Sequence, residues 1–126
     1  MERVKNFEHA LGILNEKLRV ETLYDVDLPR EDIASLEAHY KLMKIVQANN
    51  KLNNWHVDWN NKLQAKWNPY FWVKADDKSK KSFGFANPDA YWFSCTDVGS
   101  KMLVGTSEEA KYIAQDFIDL FEQAWL

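Results

Sequence analysis

The stretch YFWVKADDKSKKSFGFANPDAYWFSCTDVGSKMLV, residues 70–104, decides the fold, because the helical period is absent from it. Aromatic and β-branched residues dominate four short runs in this stretch: Tyr70 to Lys74, Ser82 to Ala86, Ala90 to Cys95 and Lys101 to Val104. Turn-forming residues separate the runs. Because such short connectors can join only antiparallel neighbours, the stretch predicts an antiparallel meander of three or four strands.

The segment that follows predicts a C-terminal amphipathic helix packed on the sheet. Thr106 and Glu109 match a capping box, which marks a helix N-terminus. Apolar residues then recur at three- and four-residue spacing, at Ala110, Ile113, Ala114, Phe117, Ile118, Phe121 and Trp125.

Two further helices are predicted before the meander. The first runs from Val4 to Leu18, and a loop from Arg19 to Leu28 follows it. Pro29 suits the first turn of the second helix, where its missing N–H costs nothing. The apolar residues of the second helix form a row that is broad enough for packing on more than one side: Ile33, Leu36, Tyr40 and Met43, widened by Leu42, Ile45 and Val46. The element order predicts an α+β fold and a single domain over residues 1–126.

Composition narrows the class of protein. A chain of 126 residues fits one domain and can bury a core without disulfides or metals. The single cysteine, Cys95, fits a reducing compartment. The N-terminus does not resemble a signal peptide, and no apolar run is long enough to cross a membrane. We therefore expect a cytoplasmic protein.

Charge is distributed unevenly along the chain. The net charge is −3, which argues against a dedicated duplex-DNA binder. Residues 62–81 nevertheless hold six lysines against two aspartates. A solvated hairpin whose lysines discourage edge-to-edge association is the favoured interpretation of that segment.

Recognisable catalytic motifs are absent from the sequence. Phosphate-binding glycine loops, the Gly-x-Ser-x-Gly elbow and His-Glu-x-x-His are all missing. The three histidines are too scattered to predict a metal site, so we expect no cofactor and no metal. An enzyme of unrecognised type is the third-ranked hypothesis.

Aromatic residues are the remaining signal. Eleven of the eighteen lie between Trp55 and Phe93, and alternation places them on both faces of the predicted strands. One buried face needs only some of them. Three interpretations of the others stay open. They fill the core under the Trp55–Trp59 loop, they anchor a protein partner, or they stack the bases of a single-stranded nucleic acid beside the hairpin lysines.

Five short segments follow one another in a fixed order: Leu52-Asn53-Asn54-Trp55-His56-Val57-Asp58-Trp59, Lys66-Trp67-Asn68-Pro69-Tyr70-Phe71, Ser82-Phe83-Gly84-Phe85, Val98-Gly99-Ser100-Lys101-Met102 and Thr106-Ser107-Glu108-Glu109-Ala110-Lys111-Tyr112. Together they resemble a group of small uncharacterised proteins encoded by phages and prophages of gut Bacteroidales-type bacteria, over roughly residues 30–126. Asn54 replaces a glycine of that pattern, Val57 a proline and Lys101 an arginine. The last change keeps the charge but loses the bidentate fork.

The resemblance implies a phage-derived gene product that acts in the bacterial cytoplasm, and it implies no reaction. We expect a non-enzymatic accessory or regulatory protein that binds a host or phage macromolecule, most reasonably another protein. The predicted partner-binding residues are Trp55, Asp58, Trp59, Lys66, Trp67, Tyr70 and Lys101. Single-stranded nucleic-acid binding through the lysine and aromatic hairpin is the alternative, and an exposed aromatic face would also suit a homodimer.

Overall fold

The computed structural model describes residues 1–61, 63–69, 71–73, 83–85 and 100–125. In these residues the chain is mostly helical. The four α-helices are α1 (Phe7–Leu14), α2 (Arg30–Leu52), α3 (Ser107–Asp116) and α4 (Ile118–Trp125). Two 3-10 helices, Val20–Asp25 and Ser100–Met102, and two strands, β1 (Phe71–Val73) and β2 (Phe83–Phe85), complete the described elements.

Helix α2 is the central element of the core. It begins directly after Pro29, whose carbonyl accepts hydrogen bonds from the N–H groups of Asp32 and Ile33, both at 3.1 Å. Leu42, Ile45 and Val46 are completely buried on it. Helices α1 and α4 and both 3-10 helices contact α2, so the prediction that it packs on more than one side is confirmed.

Helix α1 is shorter than predicted. Asn6 caps its first turn by accepting a hydrogen bond from the His9 N–H at 2.7 Å. Asn15 ends the helix in the left-handed conformation, with φ of 55°. Leu18, the predicted last residue of this helix, therefore lies beyond it and is 53% exposed, whereas Phe7 and Leu11 are buried.

The predicted C-terminal helix is two helices. α3 ends at Asp116 with Phe117 as its C-cap, and the Leu120 and Phe121 N–H groups of α4 bond the Phe117 carbonyl. Helix α4 packs along α2 rather than on a broad sheet, and Phe121 is completely buried between them and the rest of the core.

The prediction of an α+β fold with a three- to four-stranded meander is wrong. β1 and β2 pair antiparallel over three residues each, with Phe71 opposite Phe85, Trp72 opposite Gly84 and Val73 opposite Phe83. The predicted strand Lys101–Val104 is instead the end of a 3-10 helix followed by one antiparallel bridge between Val104 and Trp67. The predicted run Ala90–Cys95 lies outside the described residues.

Two of the runs that were predicted to pair in a sheet contact helices instead. The Asn50 side-chain amide donates to the Leu103 carbonyl at 2.8 Å, where a neighbouring strand would otherwise bond. Phe71 packs its ring 4.8 Å from that of Phe121 and 5.8 Å from that of Trp125. Aromatic strand propensity reflects burial against neighbours, and α2 and α4 provide that burial here.

In the part of the chain that the structure describes, no helix combines the length and the apolar character that crossing a bilayer requires.

Candidate functional site

The chain reverses direction immediately after α2. Asn54 has φ of 49°, a left-handed conformation that asparagine tolerates better than most residues. The Asn54 N–H bonds the Lys51 carbonyl at 3.2 Å and the Trp55 N–H bonds the Asn50 carbonyl at 2.9 Å. This tight turn brings Trp55 back against the end of the helix.

Trp55 is fixed against the backbone that leads into α3. A Cβ atom on Gly105 would lie 2.8 Å from Cδ1 and 3.0 Å from Cγ of the indole, which is closer than such atoms approach. Only a glycine therefore lets the two segments come this close without displacement. Trp55 is partly buried and lines two concavities, one on each side of it.

The larger concavity, which we call the Trp59 groove, has a volume of about 480 Å³ and is open to solvent. The residues that shape it are Gln47, Asn50 and Lys51 from α2, Trp55, His56, Val57 and Trp59 from the following loop, and Lys101 from the second 3-10 helix. Trp59 is 50% exposed at its rim. The groove thus combines an exposed aromatic ring with amide and basic side chains.

Hydrogen bonds between side chains and backbone hold the loop that carries Trp59. We call residues 55–61 and 63–66 the aromatic loop. The Gln64 side chain clamps it by donating to the His56 carbonyl and accepting from the Asp58 N–H, both at 2.8 Å. The Asp58 carboxylate in turn accepts from the Asn60 N–H at 3.0 Å, and the Asn61 side chain accepts from the Leu63 N–H at 3.0 Å. These bonds give the exposed loop a defined shape.

Lys66 supports Trp59 from below. The Lys66 residue is 3% exposed, and its ammonium lies 5.6 Å from the centre of the Trp59 ring. The ammonium also donates to the carbonyls of Asn61 and Gln64 at 3.3 and 3.2 Å. Burying a charge is costly unless bonds of this kind offset it. Lys66 is therefore a positioning residue for Trp59 and does not itself reach the surface.

The smaller concavity, of about 270 Å³, lies on the other side of Trp55. Asn53, Thr106, Glu108 and Glu109 line it together with Met1. Its floor includes Glu109, a carboxylate that is only 3% exposed. Asn49 donates to one oxygen of this carboxylate at 3.0 Å and the Thr106 hydroxyl to the other at 2.7 Å.

A buried polar network continues from Glu109 into the core. The Tyr112 hydroxyl donates to Oδ1 of Asn49 at 2.6 Å and accepts from the Val4 N–H at 3.2 Å. Burial raises the pKa of Tyr112, while the hydrogen bond from Val4 acts in the opposite direction. The network joins the N-terminal segment, α2 and α3, the helices on either side of the loop that carries Trp55 and Trp59 in the chain.

The structure brings four of the predicted partner-binding residues together. Trp55, Trp59 and Lys101 line the groove and Lys66 supports it. Asp58 is exposed in the same loop. Trp67 is partly buried and packs against the hydrophobic core, while Tyr70 lies outside the described residues.

Sequence reasoning missed several residues of the site. Gln47, Asn50 and Lys51 occupy ordinary helical positions, so no pattern distinguishes them from a solvated face. A glutamine in a polar loop such as Gln64 carries no sequence signal either. Gly105 does carry a sequence signal, because a glycine directly before a capping threonine indicates that another group approaches the backbone closely there.

A comparison with known protein families, curated protein sequences and solved structures finds no match for this chain. The resemblance to the phage and prophage proteins stays a prediction.

Proposed function

We propose that this protein is a non-enzymatic accessory or regulatory protein that binds another protein in the Trp59 groove. The observation that carries the proposal is the exposure of Trp59 on a loop whose shape is fixed in advance. Tryptophan is the commonest anchor of protein interfaces. A loop that is ordered before binding loses less conformational entropy when the partner arrives.

The surroundings of Trp59 support a role at the surface. The Gln64 clamp and the Lys66 ammonium hold the ring in place without burying it. A tryptophan needed only for stability would be expected to place most of its area in the core. The phage origin implied by the sequence resemblance belongs to the same proposal, in which the partner is a host or phage macromolecule in the bacterial cytoplasm.

Capture from a nuclease-treated bacterial lysate tests the proposal. The tagged protein and its Trp59→Ala variant are compared, and bound proteins are read by mass spectrometry. We expect one partner in near-stoichiometric amount with the original protein and its loss with the variant. Leu63→Ala is the matched control, since Leu63 is 84% exposed in the same loop and does not line the groove. Equal retention by all three proteins would refute the role of Trp59.

Single-stranded nucleic acid is the second candidate, because the groove pairs an aromatic ring with basic side chains. It predicts that a short oligothymidylate quenches tryptophan fluorescence and that its affinity falls steeply with added salt. Quenching that is insensitive to salt, or no quenching at low salt, would exclude this candidate. Most of the hairpin lysines that first suggested it lie outside the described residues.

A further inference from the structure

The charged side chains that line the Trp59 groove all have the same sign. These side chains are Lys51 and Lys101, and none of its described lining residues is acidic. This is unexpected in a protein whose net charge is −3, with 19 acidic against 16 basic residues. A groove of one sign in a molecule of the opposite sign attracts a ligand of complementary charge.

Among the described residues, the ammonium groups of Lys51 and Lys101 both keep N–H donors that an anion could bind. Lys101 is exposed, and among the described residues its ammonium makes no ion pair. Lys51 donates one N–H to the Ile13 carbonyl at 2.8 Å, which fixes the ammonium and leaves two donors. One lysine is therefore held in place at the wall of the groove and the other is available at its end.

We infer that the groove receives an acidic segment of a partner protein, whose carboxylates pair with Lys101 and Lys51 while an apolar side chain lies on Trp59. This inference rests on the proposed function and adds the chemistry of the partner. Carboxylates match ammonium groups in charge, and an adjacent apolar side chain would cover the exposed half of the indole.

The aromatic arrangement favours a peptide over a nucleic acid. Proteins that bind single strands stack successive bases on several exposed rings. Here the pyrrole part of the Trp55 indole is against Gly105, and the Lys66 ammonium lies over the Trp59 ring. Of the two tryptophans that line the groove, Trp59 is the more exposed, at 50%, and one half-exposed indole suits one apolar anchor.

A random peptide display library, selected on the full-length protein and counter-selected on Trp59→Ala, tests the inference. We expect the surviving peptides to combine aspartate or glutamate with an apolar residue. A synthetic peptide from the selection, and its copy with the acids replaced by amides, are then titrated by fluorescence anisotropy. Lys101→Glu should lower the affinity for the acidic peptide by about tenfold or more, since reversing a charge replaces attraction by repulsion. Lys101→Gln should weaken it less.

Lys17→Glu is the matched control, because Lys17 is exposed, lies outside the groove lining and undergoes the same change of charge. It should change the affinity by less than about twofold, within the range of long-range screened effects. Circular dichroism of each variant confirms that folding is retained.

The outcomes separate the inference from the proposed function. Peptides that depend on Trp59 but carry no acidic residues, and that bind Lys101→Glu normally, would overturn the acidic partner and leave protein binding in the groove intact. A selection with no Trp59-dependent peptide would overturn both. If acidic peptides fail to bind and oligothymidylate binds the original protein but not Lys101→Glu, the ligand of the groove would be a nucleic acid and not an acidic peptide.

Discussion

The helical core and the aromatic loop are held together by different forces. In the core, Leu42, Ile45 and Phe121 are completely buried, and apolar burial supplies the stability. In the aromatic loop, Gln64, Asp58 and Lys66 hold the backbone by hydrogen bonds, and Trp59 stays half exposed. The core accounts for the stability of the fold, and the proposed function assigns recognition of a partner to the loop.

The largest effect is expected in the core. Phe121→Ala should lower the free energy of unfolding by about 3–5 kcal/mol, because it removes a completely buried ring that packs against Phe71 and Trp125. Chemical denaturation measures the loss. Leu63→Ala in the aromatic loop is the control and should change the stability by about 0.5 kcal/mol or less. Similar losses for the two variants would remove the distinction between core and loop.

The contact between Trp55 and Gly105 is where the two regions meet. Gly105→Ala should cost about 1–3 kcal/mol, because its new methyl group would collide with the indole. The same substitution in a Trp55→Ala background should cost much less, since the collision partner is gone. A double-mutant cycle of unfolding free energies measures this coupling. Additive costs would show that the destabilisation by Gly105→Ala does not come from contact with Trp55.

Tyr112 allows a comparison between a buried and an exposed tyrosine hydroxyl. Its hydroxyl bonds both Val4 and Asn49, so Tyr112→Phe should cost about 1–2 kcal/mol at neutral pH. Tyr24→Phe, which removes an exposed hydroxyl bonded to Glu37, should cost less.

The cost should also depend on pH. Burial raises the pKa of Tyr112 in the folded protein, whereas an unfolded tyrosine ionises near pH 10. The unfolded chain therefore loses this proton first as pH rises. The contribution of Tyr112 is fully present below about pH 10 and is lost as pH rises towards the higher folded pKa. The stability advantage over Tyr112→Phe should shrink above pH 10, and an advantage that grows there would contradict the buried position of this hydroxyl.

The sequence predicted the helical region better than the loop for a physical reason. Helical periodicity reports burial on one face, so Leu42, Ile45 and Val46 were correctly placed in the core. The Thr106 cap was also predicted, and the Glu109 N–H bonds its hydroxyl at 3.2 Å. The Glu109 carboxylate accepts hydrogen bonds from both the Thr106 hydroxyl and the Asn49 amide, so it also ties α3 to α2, which the capping pattern does not predict.

The predicted sheet failed because short aromatic runs do not specify what covers them. The apolar segment around Leu103 lies on α2 as a 3-10 helix and a single bridge, although its composition is typical of a strand. In the candidate site, Trp55 and Trp59 were predicted from the excess of aromatic residues and Lys101 from the phage pattern, and all three line the groove. The burial of Lys66 and the clamp by Gln64 depend on tertiary contacts that no local pattern encodes.

A small effect on stability is expected from Gln64→Ala. The variant loses two hydrogen bonds in an exposed loop, which should cost about 1 kcal/mol or less. Partner affinity should nevertheless fall severalfold, because the loop then samples other shapes before binding. Gln115→Ala, an exposed glutamine on α3, is the control and should change neither quantity. Unchanged affinity in the Gln64 variant would show that the clamp has no role in recognition.

The most direct test of the account compares the unfolding free energies of Trp59→Ala and Trp67→Ala. Trp67 packs against the core and pairs with Val104, so its removal should cost about 3 kcal/mol. Trp59 is 50% exposed, and its removal should cost about 1 kcal/mol or less. That difference would establish Trp59 as a surface residue that is free to bind a partner. Equal, large losses would show that both rings belong to the core and that the Trp59 groove is not a binding site.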